Sequence, residues 1–424
     1  MTQSYIATRE RNLWDRRTAA QFVIPRYYNG VDYPSGNLFT GTYVSDGNTG
    51  AATPTTAIVA TEDYDQDITL WQGGSQTNPG WQPALIWPEV HDVKIVGVNA
   101  PMQEKFITYY NPDVPYDHDG IVMKGSGMYV DNLYVYGIQG TGGRFVSPDE
   151  TDDDRDGDAM EFDGRRSVFT KLNGINVLQG FDFDTPGAAI DMIYVAGFRE
   201  YAVRISGGVQ LTNLHTWGGQ KIGLEVTGDY NHCTHLYPEN SGTGMKISGD
   251  YNTFSKIYSL SNWTNCVVIE GDWNSILDFE LPSGSSAGSI LISGVGAKLI
   301  NGAVNVTDTP DDPYEVPDVG IILDEGESHY IQGVTLGMYQ RTKAIGMEAR
   351  DTLNSCVIDI IVVGGDVGLD LNYGNINRLG VNNRIHVRHP SSAGQVPATP
   401  INLPTTSWHS SNEIYLNGTP QVSP

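Results

Sequence analysis

The sequence predicts an all-β chain wound into one parallel β-helix, and three observations carry that expectation. An internal repeat of about 22 residues runs through the middle of the chain, each repeat holds short runs of alternating β-branched residues, and Gly, Asn and Asp punctuate the runs. The segments GLEVTGDYNHCTHLYPENSGT, GMKISGDYNTFSKIYSLSNWTN and CVVIEGDWNSILDFELPSG follow one another directly. Aligned on a central apolar residue, one register runs Met160, Phe181, Val203, Leu224, Met245, Val267, Ile290, in steps of 21, 22, 21, 21, 22 and 23 residues. A second runs Leu133, Leu172, Ile193, Leu214, Leu236, Ile257, Phe279; its 39-residue first step equals one unit plus an 18-residue insertion at the acidic stretch before Met160. Looser units follow at Gly320–Leu323 and Gly368–Leu371, and an early one is expected within residues 85–98.

Each unit is too short for a β-α-β crossover and lacks a helical period, so it reads as strand, turn, strand. Leucine-rich repeats need a leucine frame that is missing, and propeller blades need about twice the period. Stacked coils about 4.8 Å apart fit both the length and the punctuation. The tetrapeptides Gly228-Asp229-Tyr230-Asn231, Gly249-Asp250-Tyr251-Asn252 and Gly271-Asp272-Trp273-Asn274 fall on one corner of successive coils. There Gly permits positive φ, Asn side chains can bond along the column, and the three rings can stack.

Composition narrows the function classes. The 424 residues carry 50 Asp+Glu against 25 Lys+Arg, a formal charge of −25 that repels phosphate backbones, so no nucleic-acid partner is expected. Cys233, Cys266 and Cys356 are too few and too scattered for a disulfide framework or a zinc cluster. The first residues lack an apolar signal-peptide core and no run of 18 apolar residues exists, so neither Sec export nor membrane insertion is expected. Nucleophile-elbow, Walker and Rossmann fingerprints are missing.

On its coil pattern, Gly turns and Asn corner, the chain over residues 85–390 resembles the pectate-lyase-like right-handed β-helix proteins, and among them the phage tailspikes. About 10 or more coils are expected, and the resemblance implies a homotrimer and a virion-borne or extracellular place. It does not extend to the Gly-Asp-Gly-x-x-Asp-Asp-Thr segment that tailspikes often carry, nor to the catalytic patterns of polygalacturonases and pectate lyases. Residues 1–84 are expected to cap the first coil or to attach to other virion proteins, and residues 391–424 to form a C-terminal capping tail.

Three constellations bear on chemistry. If Met160, Phe162, Phe181 and Phe183 point inward, then Glu161, Asp163, Asp182 and Asp184 point outward on neighbouring coils. Such a square, about 4.8 Å by 6.5–7 Å, brackets the carboxylate separations of retaining and inverting glycoside hydrolysis. A calcium site or a plain acidic stripe balanced by Arg204 are the alternatives. Just upstream, Asp152, Asp154, Asp156, Gly157 and Asp158 match the first half of an EF-hand-like loop, so Ca2+ is a candidate cofactor. The third constellation lies beside the leucine column: Tyr194, His215, Tyr237 and Tyr258 just after it, His235 just before it, and Trp217 and Glu239 two positions further on. Rings flanked by amides and carboxylates suit sugar rings, while Tyr is also common on strands for packing alone. His235 with Glu239 is a second choice of acid/base pair.

The expected function is therefore a tailspike-like protein that binds bacterial surface polysaccharide, with depolymerisation by hydrolysis or elimination left open. The alternative is a non-catalytic structural spike or fibre for assembly or adhesion.

Overall fold

The computed structural model describes residues 37–45, 58–61, 88–97, 121–124, 128–136, 141–146, 167–260, 262–281, 289–305, 319–338, 344–392 and 395–424. The chain is an all-β parallel solenoid, divided into two compact units: Met1–Leu211 with Gly218–Gln220, and Thr212–Trp217 with Lys221–Pro424.

In unit 1 the longer strands Asn37–Ser45, Pro88–Gly97, Tyr129–Tyr136, Val168–Val177 and Ala189–Phe198 stack in that order as one parallel ladder. The intervening strands Ile58–Thr61, Ile121–Lys124, Thr141–Val146, Gln179–Asp184 and Tyr201–Ile205 form the second ladder. Leu133 pairs with Leu172 and Leu172 with Ile193, so the 39-residue step is one coil carrying an insertion. Between the ladders the core is aromatic. Phe145, Phe169 and Phe183 meet at 4.6–5.1 Å between ring centroids, and with Phe181 they are fully buried.

One expectation is corrected here. The strand beside Phe181 and Phe183 is Thr141–Val146, with Gly143 opposite Phe181 and Phe145 opposite Phe183. Gly143 and Phe145 are therefore the described neighbours of Phe181 and Phe183, and Met160 lies outside the described residues. The physical reason is size: Phe181 and Phe145 leave so little room that a Cβ on Gly143 would sit 2.9–3.0 Å from their rings, so glycine occupies the place that Met160 was expected to fill.

Unit 2 repeats the two-ladder plan. Thr212–Trp217 of the strand Gln210–Trp217 leads one ladder through His232–Glu239, Thr253–Tyr258 and Ser275–Leu281 to Arg384–Arg388 and Glu413–Leu416. Ile222–Val226 leads the other through Thr243–Ile247 and Asn265–Ile269 to Val367–Asp370 and Thr399–Asn402. The register Leu224, Met245, Val267, Ile290 continues through Ile321, Met347 and Leu369, all fully buried. Rungs at Asn37–Ser45 and Ile58–Thr61, and again at Thr399–Asn402 and Glu413–Leu416, carry the coil stack beyond residues 85–390 at both ends.

The corner between the ladders of unit 2 is the most regular feature. Gly249, Gly271 and Gly294 pass so close to the coil before that a Cβ would lie 2.1–2.2 Å from its carbonyl oxygen. Two residues after Gly228, Gly249 and Gly271, the residues Tyr230, Tyr251 and Trp273 have φ of 55–58°. Next come the fully buried Asn231, Asn252 and Asn274. The backbone N–H of Asn231 donates to Asn252 Oδ1 at 2.7 Å, and that of Asn252 to Asn274 Oδ1 at 2.9 Å. A buried N–H that turns out of a strand needs such an acceptor. The ladder survives changes of residue: Ala297 N–H donates to His329 Nδ1 at 3.2 Å, and Cys356 N–H to Asn383 Oδ1 at 3.0 Å. Burial pushes the Cys356 thiol up to about 11, which makes it inert as a nucleophile. Cys233 and Cys266 are buried too, so the cysteines are packing residues, as the sequence suggested.

Asn252→Ala leaves the Asn231 N–H without its acceptor and is expected to cost about 2–3 kcal/mol, near the top of the range for an unsatisfied buried donor, read from the urea midpoint. His329 gives a pH signature. Its Nδ1 must be an acceptor while Nε2–H donates to Glu325 O, so the neutral ring is the competent form, and burial holds its pKa below 6.5. The unfolded chain then binds the extra proton first, and stability falls as pH drops below about 6.5. His329→Asn supplies the same acceptor without the titration. Its loss of melting temperature between pH 7.5 and 5 should be smaller than that of the wild type.

Candidate functional site

Eight successive strands of the longer set, from Tyr129–Tyr136 to Lys298–Asn305, bend at one residue, and that bend decides what faces outward. Asn132, Lys171, Met192, Asn213, His235, Lys256, Asp278 and Asn301 all have φ of 52–59°. Each immediately precedes the inward residue of the second register, such as Leu214 after Asn213. The bend places two outward residues between inward ones, as the burial of 211–217 records: Leu211 in, Thr212 and Asn213 out, Leu214 in, His215 out, Thr216 in, Trp217 out. Alternation restarts one residue late, so the bend residue stands on an exposed ridge and the residue after the leucine stands on the strand face beyond it.

In unit 2 that face is aromatic and acidic. His215 and Tyr237 meet edge to face with 4.9 Å between centroids, and Tyr237 and Tyr258 are parallel within 3° at the same distance. Tyr258 in turn pairs with Glu280 on the next strand. Glu239 lies across the first step: its Oε1 is 3.3 Å from His215 Nε2. The Tyr237 hydroxyl also donates to it, and burial, the Glu239 charge and Tyr258 together raise the Tyr237 pKa. The imidazole remains 42% exposed while the carboxyl group is only 16% exposed, so Glu239 is a recessed acceptor shared by two groups nearer the surface. The arrangement offers ring surface, hydroxyl and carboxylate hydrogen bonds, and a route for a proton between His215 and Glu239.

His235 does not join this group. It occupies the bend, where Nδ1 lies 3.3 Å from Thr234 Oγ1 and Nε2 3.4 Å from Lys256 Nζ. The imidazole beside Glu239 is therefore that of His215, not His235, because the bend turns His235 off the strand face. Trp217 shares the outward side of its strand with His215. Tyr194 belongs to unit 1, where it pairs with Asn173, which itself pairs with Tyr134.

The acidic constellation is reorganised as well. Asp182 is flanked by Arg144 on one strand and Arg204 on the other, while Val146 stands opposite Asp184. The square of four carboxylates is thus replaced at Asp182 by a column alternating in charge. Arg204 Nη1 lies 3.8 Å from Asp182 Oδ2, and its guanidinium sits 4.2 Å over the Tyr201 ring. The Tyr201 hydroxyl approaches Asp182 Oδ2 at 3.3 Å and Gln179 Oε1 at 2.9 Å; Gln179 also accepts from Thr141 Oγ1 at 2.8 Å and donates to Glu200. Burial raises the Asp182 pKa and outweighs the pull of Arg204, Arg144 and Tyr201; burial and the Asp182 charge raise that of Tyr201. Glu161, Asp163 and the loop residues Asp152, Asp154, Asp156 and Asp158 lie outside the described residues, and with them the expected calcium loop. Among the described residues no three His, Cys, Asp or Glu side chains are grouped to hold a metal ion.

Arg144, Gln179 and Tyr201 were missed as members of this network. A signal was present: Gly142-Gly143-Arg144-Phe145 matches Gly180-Phe181-Asp182-Phe183 in its glycine, its charged position and its final phenylalanine.

Comparison with protein-family models, with curated proteins and with solved structures gives no match to this chain.

Asp182→Asn separates a burial-strained carboxyl from an anchoring ion pair. With its folded pKa raised, Asp182 stabilises most while protonated, and that contribution is lost as pH rises through the folded pKa. Relative to wild type, the Asn variant should gain stability from pH 4 to pH 7 in chemical denaturation; an anchoring pair gives the opposite trend.

Proposed function

We propose that the protein binds a bacterial surface polysaccharide along the outward face of unit 2, as the trimeric, virion-borne spike that its coil pattern resembles. One observation carries the reading. His215, Tyr237 and Tyr258 form a half-exposed row of rings at a constant 4.9 Å step, with the recessed Glu239 hydrogen-bonded to the first two.

A row of this kind suits a sugar chain for two reasons. Pyranose rings present apolar C–H faces to aromatic surface and hydroxyls to carboxylate and phenol groups, so one site type serves both edges. Successive coils also repeat the contact, so affinity adds along a polymer where a single sugar binds weakly. If the polymer is cleaved, His215 and Glu239 are the acid/base pair within reach of each other, and the Tyr237 hydroxyl is the third proton-bearing group beside them.

The test is incubation of the purified protein with a panel of capsular and O-antigen polysaccharides, with binding read by interferometry and cleavage by reducing ends. Tyr237→Ala should weaken binding at least tenfold, about 1.4 kcal/mol. Glu239→Gln should spare most of the binding and abolish any cleavage. Unchanged affinity for the best polysaccharide in Tyr237→Ala would sink the assignment of the face. Binding without reducing ends in the wild type identifies an adhesive spike.

A further inference from the structure

The corner of unit 2 carries a second row of rings. Tyr230, Tyr251 and Trp273 are 64%, 50% and 42% exposed, and all three adopt left-handed backbone with φ of 55–58°. Later coils fill the same position with Gly296, Ser328, Ser355 and Asn382, at φ of 56–70°. Small residues are what this conformation favours, whereas a large side chain with positive φ is sterically costly. Three consecutive bulky aromatics at such a position are thus chosen against local backbone preference, and they leave much of their surface in water. Where sequence opposes local physics in this way, a ligand contact is the economical account.

The rings and their surroundings indicate the ligand. Tyr230 and Tyr251 are parallel within 6° at 5.4 Å between centroids, an offset stack in which each ring overlaps the next like a tile and leaves part of its face open. Beside each ring stands a carboxylate. Asp229 Oδ1 accepts from Asp250 N–H, Asp250 Oδ1 from Asp272 N–H, and Asp272 Oδ1 from Val295 N–H, at 2.7–2.8 Å. These bonds fix the carboxylates in place with their acceptor oxygens at every step. The same rung, a ring beside an oriented acceptor, occurs three times in succession, so it matches a ligand whose own unit repeats along the coil axis.

Charge removes acidic ligands and a second copy of the chain from consideration. The chain has a formal charge of −25, and a symmetric contact between two copies at this corner would press two columns of Asp together. Nucleic acid and acidic polymers are repelled for the same reason. A neutral sugar chain meets no penalty: its C–H faces cover the rings and its hydroxyls donate to the carboxylates.

We propose that Tyr230, Tyr251 and Trp273, with Asp229, Asp250 and Asp272, form a binding site for a neutral glycan chain lying along the coil stack, separate from the His215–Tyr258 face. Hydroxyl-radical footprinting of the full chain with cellohexaose, maltohexaose or chitohexaose should protect the three rings at least threefold with one of the sugars. The double variant Tyr251→Gly/Trp273→Gly should bind that sugar at least tenfold more weakly by calorimetry while keeping or raising the melting temperature, because glycine adopts the left-handed backbone without strain. Tyr237→Ala should leave the ring protection intact, so the corner site stands or falls apart from the strand face. Any of the following overturns the proposal: no protection by any of the hexaoses, unchanged affinity in the double variant, a melting temperature lowered by the glycines, or protection by oligolysine in place of sugar. A concentration-dependent dimer in ultracentrifugation that the double variant abolishes also overturns it, in favour of a second copy.

Discussion

A backbone N–H that leaves a strand to turn a corner still needs an acceptor, and in this solenoid the acceptor comes from the coil next to it. Asn252 Oδ1 receives the N–H of Asn231, Asn274 Oδ1 that of Asn252, and Asn412 Oδ1 that of Asn383. Because each bond joins one coil to its neighbour, the corner fixes the stacking register that the strands then propagate. A one-residue slip of a ladder would turn its buried face outward, and a buried amide with one partner per coil adds a second lock on the register. The glycines ahead of the corner serve the same end, since the coils approach too closely there for a Cβ.

The requirement at this corner is for an acceptor and not for asparagine, and His329 makes the distinction plain. Its Nδ1 takes the place of an amide oxygen, with Nε2–H held by Glu325 O. The substitution keeps the geometry and adds a titration. Arg144, Asp182 and Arg204 form a different kind of column, in which opposite charges alternate from strand to strand. There burial works against ionisation and the neighbouring guanidinium groups work for it, and the raised Asp182 pKa records that burial has the larger effect. Polar columns on one scaffold thus differ in what they contribute: the amide column sets register, while the charge column balances a desolvation cost.

Surface chemistry follows from the same regularity. Once the register is fixed, a residue type repeated in sequence becomes a row in space at one coil per step. The His215, Tyr237, Tyr258 row and the Tyr230, Tyr251 row arise in this way, on a strand face and on a corner respectively. The left-handed residue before each inward leucine separates face from ridge. It throws His235 and Lys256 outward together and leaves His215 to meet Glu239.

The repeat, the parallel stacking, the inward columns from Phe181 to Ile290 and the corner tetrapeptides were all legible in the sequence. They are set by local chemistry: β-branched alternation, glycine where the coils approach too closely for a Cβ, and asparagine where an amide must reach along the stack; the positive φ expected of the corner glycines falls on Tyr230, Tyr251 and Trp273 instead. Three things were decided only by the tertiary structure. The column at Gly143 was hidden because the residue that fits beside Phe145 and Phe181 is the smallest one, and an alignment on large apolar residues skips over it. Arg144 beside Asp182 was hidden with it, turning an expected carboxylate cluster into an ion-paired rung. The pairing of Glu239 with His215 instead of His235 was hidden because a single left-handed residue shifts the alternation by one. Composition does not encode which side of a bend a residue falls on; the packing of the neighbouring leucine does.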